Sequence, residues 1–188
     1  SIDALLPAEM AVRAESIGVR KAAMHFWTVL TLAVLAGAFI ALGAIFATTV
    51  AAGLSGVVPY GIARLLIGLV FSLGLILVVV GGAELFTGNN LIVMAWASGE
   101  VSTAQLLRNW TVVCAANAVG ACGLALLVFW SGHTSINGGA VARAAVRIAS
   151  AKAELPLAEL FFRGVLCNVL VCMAVWMAMA GRSVTDKA

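Results

Sequence analysis

The sequence predicts an all-α integral membrane protein whose second transmembrane helix is broken. Of the 188 residues, 63% are hydrophobic and only 10% are charged, whereas charged residues make up about 25% of an ordinary soluble domain. Three uninterrupted apolar runs each have the roughly 20 residues that a spanning helix needs. A fourth apolar stretch, 61–98, is too long for one span and contains a polar cluster. We therefore expect one transmembrane domain over 1–188 with four crossings.

The predicted elements follow in order along the chain. Residues 1–25 form an amphipathic helix, because apolar residues are spread among acidic and basic ones and Pro7 suits a position early in a helix. Anchoring at the membrane surface is the simplest role for it. Small residues in the spans predict close helix packing, in a compact bundle or an oligomer. The predicted spans are about 26–50, 61–98 with its break, 110–130 and 160–180.

The basic residues predict an orientation. Arg13, Arg20 and Lys21 precede the first span, so the positive-inside rule places the N-terminus in the cytoplasm and the uncharged link 51–60 outside. The link 131–157 then also lies outside, although it carries three basic residues, among them Lys152. These residues either concentrate anions near the membrane surface or are solvated residues on an amphipathic linker.

The polar cluster in the second span has two interpretations. It could be a re-entrant break, which is tolerated at membrane depth only where protein or a water-filled path satisfies the backbone. It could equally be a surface loop followed by a short interfacial helix, 91–97. An ionised Glu84 near the bilayer centre would cost about 2.5–3.5 kcal/mol unless it faces polar partners. The cluster comprises Glu84, Thr87, Gly88, Asn89 and Asn90.

Other features argue against cofactor and catalytic chemistry. The four cysteines lie within spans without a CxxC pair, as small core residues do. His25 and His133 lie at span ends on opposite predicted sides of the membrane, which disfavours a shared haem or metal. No nucleotide-binding glycine loop or catalytic triad pattern is present, and nothing suggests nucleic acid. We expect no cofactor and no enzymatic activity.

Several blocks of the sequence resemble the formate/nitrite transporter family, and the resemblance runs essentially from end to end. The Glu84–Gly88 core alone is a moderate signal, but the blocks in this order are a strong one. They are Leu5–Pro7, Phe71–Leu77, Gly82–Asn89, Asn109–Trp110 with Asn117 and Gly120, Cys167–Asn168, Val171–Cys172, Ala174–Trp176, Gly181–Ser183 and Asp186–Ala188.

The resemblance implies a pentameric channel for small monovalent anions, with an aquaporin-like protomer and a pore through each protomer. Formate is the leading substrate, and nitrite or hydrosulfide are alternatives; the location would be the inner (plasma) membrane, in contact with its lipid. Thr87 would be the pore-facing hydroxyl on a loop formed by Glu84 and Gly88–Asn90. By the same resemblance, Leu75, Leu85, Phe86 and Val171 would line the inner constriction, Phe71 the outer one, and Lys152 would attract anions. From the residues alone, the apolar side chains around the break could also be ordinary core.

The sequence departs from the family in one respect. Family members have six spans in two inverted halves, and their broken fifth helix supplies a phenylalanine and a central histidine. This chain ends at Ala188, so the resemblance leads us to expect that the second inverted half is truncated. Two other functions remain open at this point: a membrane anchor subunit of a redox complex, and a structural homologue that does not conduct.

Overall fold

All regular elements within the described residues are helical. The computed structural model describes residues 5–54, 56–181 and 183–187. Residues 1–4, the start of the predicted N-terminal helix, lie outside the described residues. Two short 3-10 turns, His133–Ser135 and Thr185–Lys187, accompany the α-helices. The α-helices are α1 Pro7–Ala23, α2 Phe26–Leu54, α3 Tyr60–Gly81, α4 Phe86–Asn89, α5 Ile92–Ala97, α6 Thr103–Trp130, α7 Ile136–Ala153 and α8 Leu157–Ala180.

Helix α1 is amphipathic and packs across the end of the broken span. Pro7 lies at its first turn, and the Glu9 carboxylate accepts a hydrogen bond from the Leu6 amide at 2.8 Å. Its buried residues recur every fourth position, which aligns them along one face. A Cβ added at Gly18 would lie 3.0 Å from Cβ of Ala95, so α1 and α5 approach closely. The buried residues are Met10, Ala14, Gly18 and Ala22.

Helix α2 is the central element, because α3 and α6 both pack along it. At two glycines α2 and α6 approach so closely that a Cβ would collide with the neighbouring backbone. Gly120 of α6 lies against the carbonyl of Val34, and Gly37 of α2 lies against the backbone of Asn117. Small residues permit this approach, as expected for helices packed within a membrane.

The spans begin and end at somewhat different residues from those predicted. Helix α6 begins at Thr103 rather than near 110, because Ser102 and Gln105 form a capping box. In that box the Ser102 hydroxyl accepts a hydrogen bond from the backbone N–H of Gln105. The side-chain oxygen of Gln105 accepts one from the backbone N–H of Ser102. Helix α2 continues to Leu54, and α8 begins at Leu157, directly after Pro156.

The second span is broken after Gly81. Helix α3 ends at Gly81, and Gly82 adopts a left-handed conformation with φ 67°, which glycine tolerates without a Cβ penalty. The amides of Gly82 and Ala83 both bond to the Val78 carbonyl, which closes the helix end. The chain runs on without helical structure through residue 85, and two short helices, α4 and α5, follow.

The link after α6 is more structured than an extended linker. The imidazole Nε2 of His133 lies 2.9 Å from the hydroxyl of Thr49, which joins this link to α2. Helix α7 has left-handed backbone at three successive residues, 137–139, and then runs on to Ala153. Lys152 lies exposed in its last turn.

Four of the described helices are long and apolar enough to cross a membrane, namely α2, α3, α6 and α8. Their large apolar side chains are widely exposed, and no described residue of α8 is buried. Such exposed apolar surfaces are normal in a membrane. Lipid tails are as apolar as these side chains, so no hydrophobic force drives the side chains into the protein interior.

Candidate functional site

The carboxylate of Glu84 is buried at the break and paired with a lysine of α1. Glu84 is 3% exposed, and its Oε1 lies 2.8 Å from Nζ of Lys21. The other oxygen, Oε2, accepts a hydrogen bond from Nδ2 of Asn89 at 2.7 Å. A buried carboxylate requires such partners, because an unpaired charge away from water is costly. The pairing also ties the N-terminal helix to the interrupted span.

Asn89 is fully buried and links four parts of the chain. Its Oδ1 accepts from Lys21 at 2.8 Å, and its Nδ2 donates both to Glu84 and to Oδ1 of Asn109 on α6. Its carbonyl accepts from the indole of Trp110 at 3.1 Å. Asn109 in turn donates to the carbonyl of Lys21. The network is closed on itself, which makes the break a defined structure rather than a loose loop.

Asn117 of α6 satisfies the open backbone of the break. Its Oδ1 accepts from the amide of Phe86 at 2.9 Å, and its Nδ2 donates to the carbonyls of Glu84 and Ala33. The amide of Glu84 bonds to the carbonyl of Leu32 on α2. Asn117 lies near the middle of the 28-residue helix α6. The break therefore lies beside the middle of a span, which favours the re-entrant interpretation over a surface loop.

The hydroxyl of Thr87 has no hydrogen-bond partner. It is the one buried side-chain oxygen or nitrogen in the described part of the chain that lacks one. Thr31, Thr48 and Thr49 donate their hydroxyls to the carbonyl four residues earlier, as helical threonines commonly do. For Thr87 that position is Ala83, which lies in the non-helical segment. The break thus leaves a buried hydroxyl free to bond a ligand.

Three of the predicted constriction residues lie together. Leu75 of α3, Leu85 beside the break and Val171 of α8 belong to one apolar cluster. Four residues of this cluster are buried, and half-buried Phe39 and Ile40 also pack against them. The buried residues are Ala36, Val78, Ala83 and Leu85. This cluster brings α2, α3 and α8 together around the residue that precedes α4.

The other predicted residues lie apart from that cluster. Phe86 packs between α2 and α6, where its ring meets that of Trp110 edge to face with centroids 6.4 Å apart. Phe71 of α3 is 40% exposed, and Lys152 is exposed on α7. Asn90 donates to Oδ1 of Asn168 on α8 at 2.7 Å. Gly88 faces α8 as well, since a Cβ there would lie 3.5 Å from Val175.

A cavity of about 210 Å³ lies between α1, the break and α8. Three basic side chains, Arg13, Lys21 and Lys187, border it together with the single carboxylate of Glu84. Arg13 also donates to the carbonyl of Met179 at 3.0 Å. The balance of charge around this cavity favours an anion over a cation.

The sequence pattern did not single out the residues that hold the break in place. Lys21 entered only as a marker of orientation, and Asn109 and Asn117 entered only within motifs. A usable signal existed, because an amide in the middle of an apolar span must bond within the protein. Which backbone groups Asn117 satisfies could not be read from that signal.

Comparisons with known proteins identify relatives of this chain. The family model described as "Formate/nitrite transporter" matches residues 8–188. The formate channel FocA of Escherichia coli (strain K12) is 44% identical over 186 residues, which cover 99% of this chain and 65% of FocA. The nitrite transporter NirC of Salmonella typhimurium (strain LT2) is 35% identical, with 77% of this chain and 52% of NirC covered.

The fold also matches a solved structure described as "Pentameric formate channel with formate bound". The TM-score is 0.80 at 42% identity, covering 86% of this chain and 63% of that chain. This chain thus spans about two thirds of the length of the first curated relatives that it matches. Together with the apolar helices, these matches identify a multi-pass membrane protein. Because the family model covers nearly the whole chain and FocA is 44% identical over 99% of it, this protein belongs to the formate/nitrite transporter family.

Proposed function

We propose that this protein is a membrane channel for small monovalent anions, with formate as the leading substrate and nitrite or hydrosulfide as alternatives. It would act in the inner (plasma) membrane as a homopentamer of aquaporin-like protomers, with one pore in each. The observation that carries this proposal is the buried, unpartnered hydroxyl of Thr87 beside an apolar cluster. FocA and NirC support the substrate class, and the pentameric formate channel supports the assembly.

In this proposal each side chain at the break has a separate task. Leu75, Leu85 and Val171 narrow the path and remove water from the ion, while the Thr87 hydroxyl donates a hydrogen bond that offsets part of the lost hydration. The family resemblance assigns Phe86, next to Leu85, to the inner constriction, although its ring packs against Trp110, and assigns Phe71 to the outer one. Glu84 and Asn89 hold the loop, with Gly88 and Asn90 in contact with α8. Lys152 concentrates anions at the outer mouth.

Two routes through the narrow part are open to a small anion. The ion can pass as an anion, with hydrogen bonds replacing water. A weak acid can also take up a proton, cross the apolar cluster as the neutral molecule and release the proton on the other side. Flux that rises as the pH falls toward the acid's own pKa would support the neutral route, because the neutral fraction grows in that direction.

Uptake into proteoliposomes tests the proposed function. The full-length protein is reconstituted, and uptake of formate, nitrite and hydrosulfide is followed by stopped-flow light scattering against protein-free liposomes. We expect saturable formate uptake well above the lipid background, and a pentamer in native mass spectrometry. A folded, reconstituted protein that admits none of the three anions would refute the channel function and favour a non-conducting structural homologue.

A further inference from the structure

The helix break leaves the carbonyl of Thr87 without the main-chain hydrogen bond that a continuous helix would give it. In a continuous helix it would accept the amide of Leu91, four residues later. Here the Leu91 amide bonds to the carbonyl of Gly88 instead, at 3.3 Å. The thiol of Cys172 on α8 fills this place and donates to the carbonyl at 3.1 Å. A side chain from another helix therefore replaces a missing main-chain hydrogen bond.

Gly88 makes the peptide that carries this carbonyl easier to reorient than a peptide between two other residues would be. The other half of this peptide belongs to Gly88, and glycine adopts backbone conformations that other residues avoid. The peptide between Thr87 and Gly88 could therefore turn at low cost if nothing held it. A turn would exchange its carbonyl oxygen for its amide hydrogen, so it would change which groups repel or attract an anion at the break.

Helix α8 meets the break along one stripe. Asn168, Cys172 and Val175 follow one another at helical spacing and contact Asn90, the Thr87 carbonyl and Gly88 in turn. Of these three residues, Cys172 is the one that bonds to Thr87, whose hydroxyl has no partner. Cys167 lies on the same helix and is exposed, so it offers a matched comparison.

We propose that Cys172 is a positioning residue for anion passage: its thiol fixes the peptide between Thr87 and Gly88, and so the set of donors that an anion meets beside the free hydroxyl. This inference rests on the proposed channel function. It assigns to Cys172 no contact with the ion and no redox chemistry. The requirement at position 172 is a short side chain with a hydrogen-bond donor.

Four variants of the full-length protein test this role in proteoliposomes. Cys172→Ser keeps a donor, Cys172→Ala loses the donor, Cys172→Val loses the donor while it fills the space, and Cys167→Ala is the control. We expect both Cys172→Ala and Cys172→Val to lower formate flux by about threefold or more and to change the ratio of formate to nitrite flux. Cys172→Ser and Cys167→Ala should stay within about twofold of the parent.

An infrared measurement examines the hydrogen bond without reference to flux. In a chain whose other three cysteines are replaced by alanine, the S–H stretching band of Cys172 should lie at the position of a bonded thiol. A band of a free thiol would overturn the inference, as would Cys172→Ala with the parent's flux and ion ratio, or Cys172→Ser as impaired as Cys172→Ala. A parent protein without flux would instead refute the channel function, and the role of Cys172 would fall with it.

Discussion

At the scale of single residues, the break combines fully bonded groups with one free group. Glu84 and Asn89 use their side chains in a closed network with Lys21 and Asn109. The hydroxyl of Thr87, two residues before Asn89, is buried and unbonded. Leaving a buried donor unsatisfied costs about 1–3 kcal/mol. A threonine without a partner at this position therefore points to a role other than stability. The contrast indicates that the network holds the loop while the hydroxyl is kept available.

Replacing Thr87 by valine should reduce transport without weakening the protein. Valine has nearly the same shape but cannot donate a hydrogen bond, and a hydrogen bond to a charged group contributes about 1.5–3 kcal/mol. We expect formate flux to fall by at least about tenfold. Since the hydroxyl bonds to nothing in the structure, the unfolding midpoint should not fall. Thr48→Val, which removes a hydroxyl bonded within its own helix, is the control and should leave flux unchanged.

The ion pair of Lys21 with Glu84 should be a coupled unit. Lys21→Met leaves a carboxylate that is only 3% exposed without its cation, and breaking a buried pair in this way costs about 3 kcal/mol. The double variant Lys21→Met with Glu84→Gln should recover at least half of that loss, because the buried charge is then gone. Equilibrium unfolding in mixed micelles measures the cycle.

A second ion pair in the chain provides the control for that cycle. Arg163 and Glu159 form an exposed pair on α8, with both side chains more than half exposed. Arg163→Met should cost less than about 1 kcal/mol. Strictly additive effects of the Lys21 and Glu84 changes would show that the two side chains do not stabilise each other.

At the scale of elements, the packing of α2 against α6 sets the position of the break. The two helices approach without room for a side chain at Gly37 and Gly120. This approach brings Asn117 within reach of both Ala33 on α2 and the backbone of the break. Any separation of the helices would therefore withdraw the donors that hold the loop.

Gly120→Ala should damage both stability and transport. Its added methyl group would collide with the carbonyl of Val34, and overpacking of this kind costs about 1–3 kcal/mol. The matched change is Gly123→Ala on the same helix, where a Cβ would meet nothing within 4 Å. Thermal unfolding followed by tryptophan fluorescence, together with formate uptake, separates the two. Equal behaviour of both variants would mean that the close approach of α2 and α6 is not needed.

At the scale of the whole molecule, α8 is attached mainly through its C-terminal half. Its first turns are exposed, whereas residues from Val171 onward are mostly half-buried against the break and α1. Helix α1 closes the same side, with Arg13 bonded to the end of α8. The charged groups at this end of the molecule surround the cavity beside Glu84.

The proposed orientation predicts opposite labelling at the two ends of α6. In a chain whose native cysteines are replaced by alanine, Glu100→Cys should react with an impermeant thiol reagent only from the cytoplasmic side. Ser131→Cys should react only from outside. The reason is the positive-inside rule, since Arg13, Arg20 and Lys21 precede the first span. Labelling with the sides exchanged would reverse the orientation.

Much of this architecture follows from the amino-acid sequence by itself. Apolar run lengths indicated a membrane protein and predicted four spans, because the thickness of the bilayer sets the length of a helix that crosses it. The succession of glycine and polar residues predicted either a break of the second span or a surface loop at this position. Helix ends were less accurate, and the early start of α6 depended on the capping pair Ser102 and Gln105.

Only the tertiary structure decided what surrounds the break. Lys21 and Asn89 are 68 residues apart, and Asn117 reaches a carbonyl 33 residues away; no local pattern joins such positions. The same holds for the thiol of Cys172, 85 residues from the carbonyl to which it donates. Local hydrophobicity decides where a chain enters a membrane. The choice of partner for each buried polar group depends instead on how the helices pack, because each group bonds to whatever the packing brings within reach.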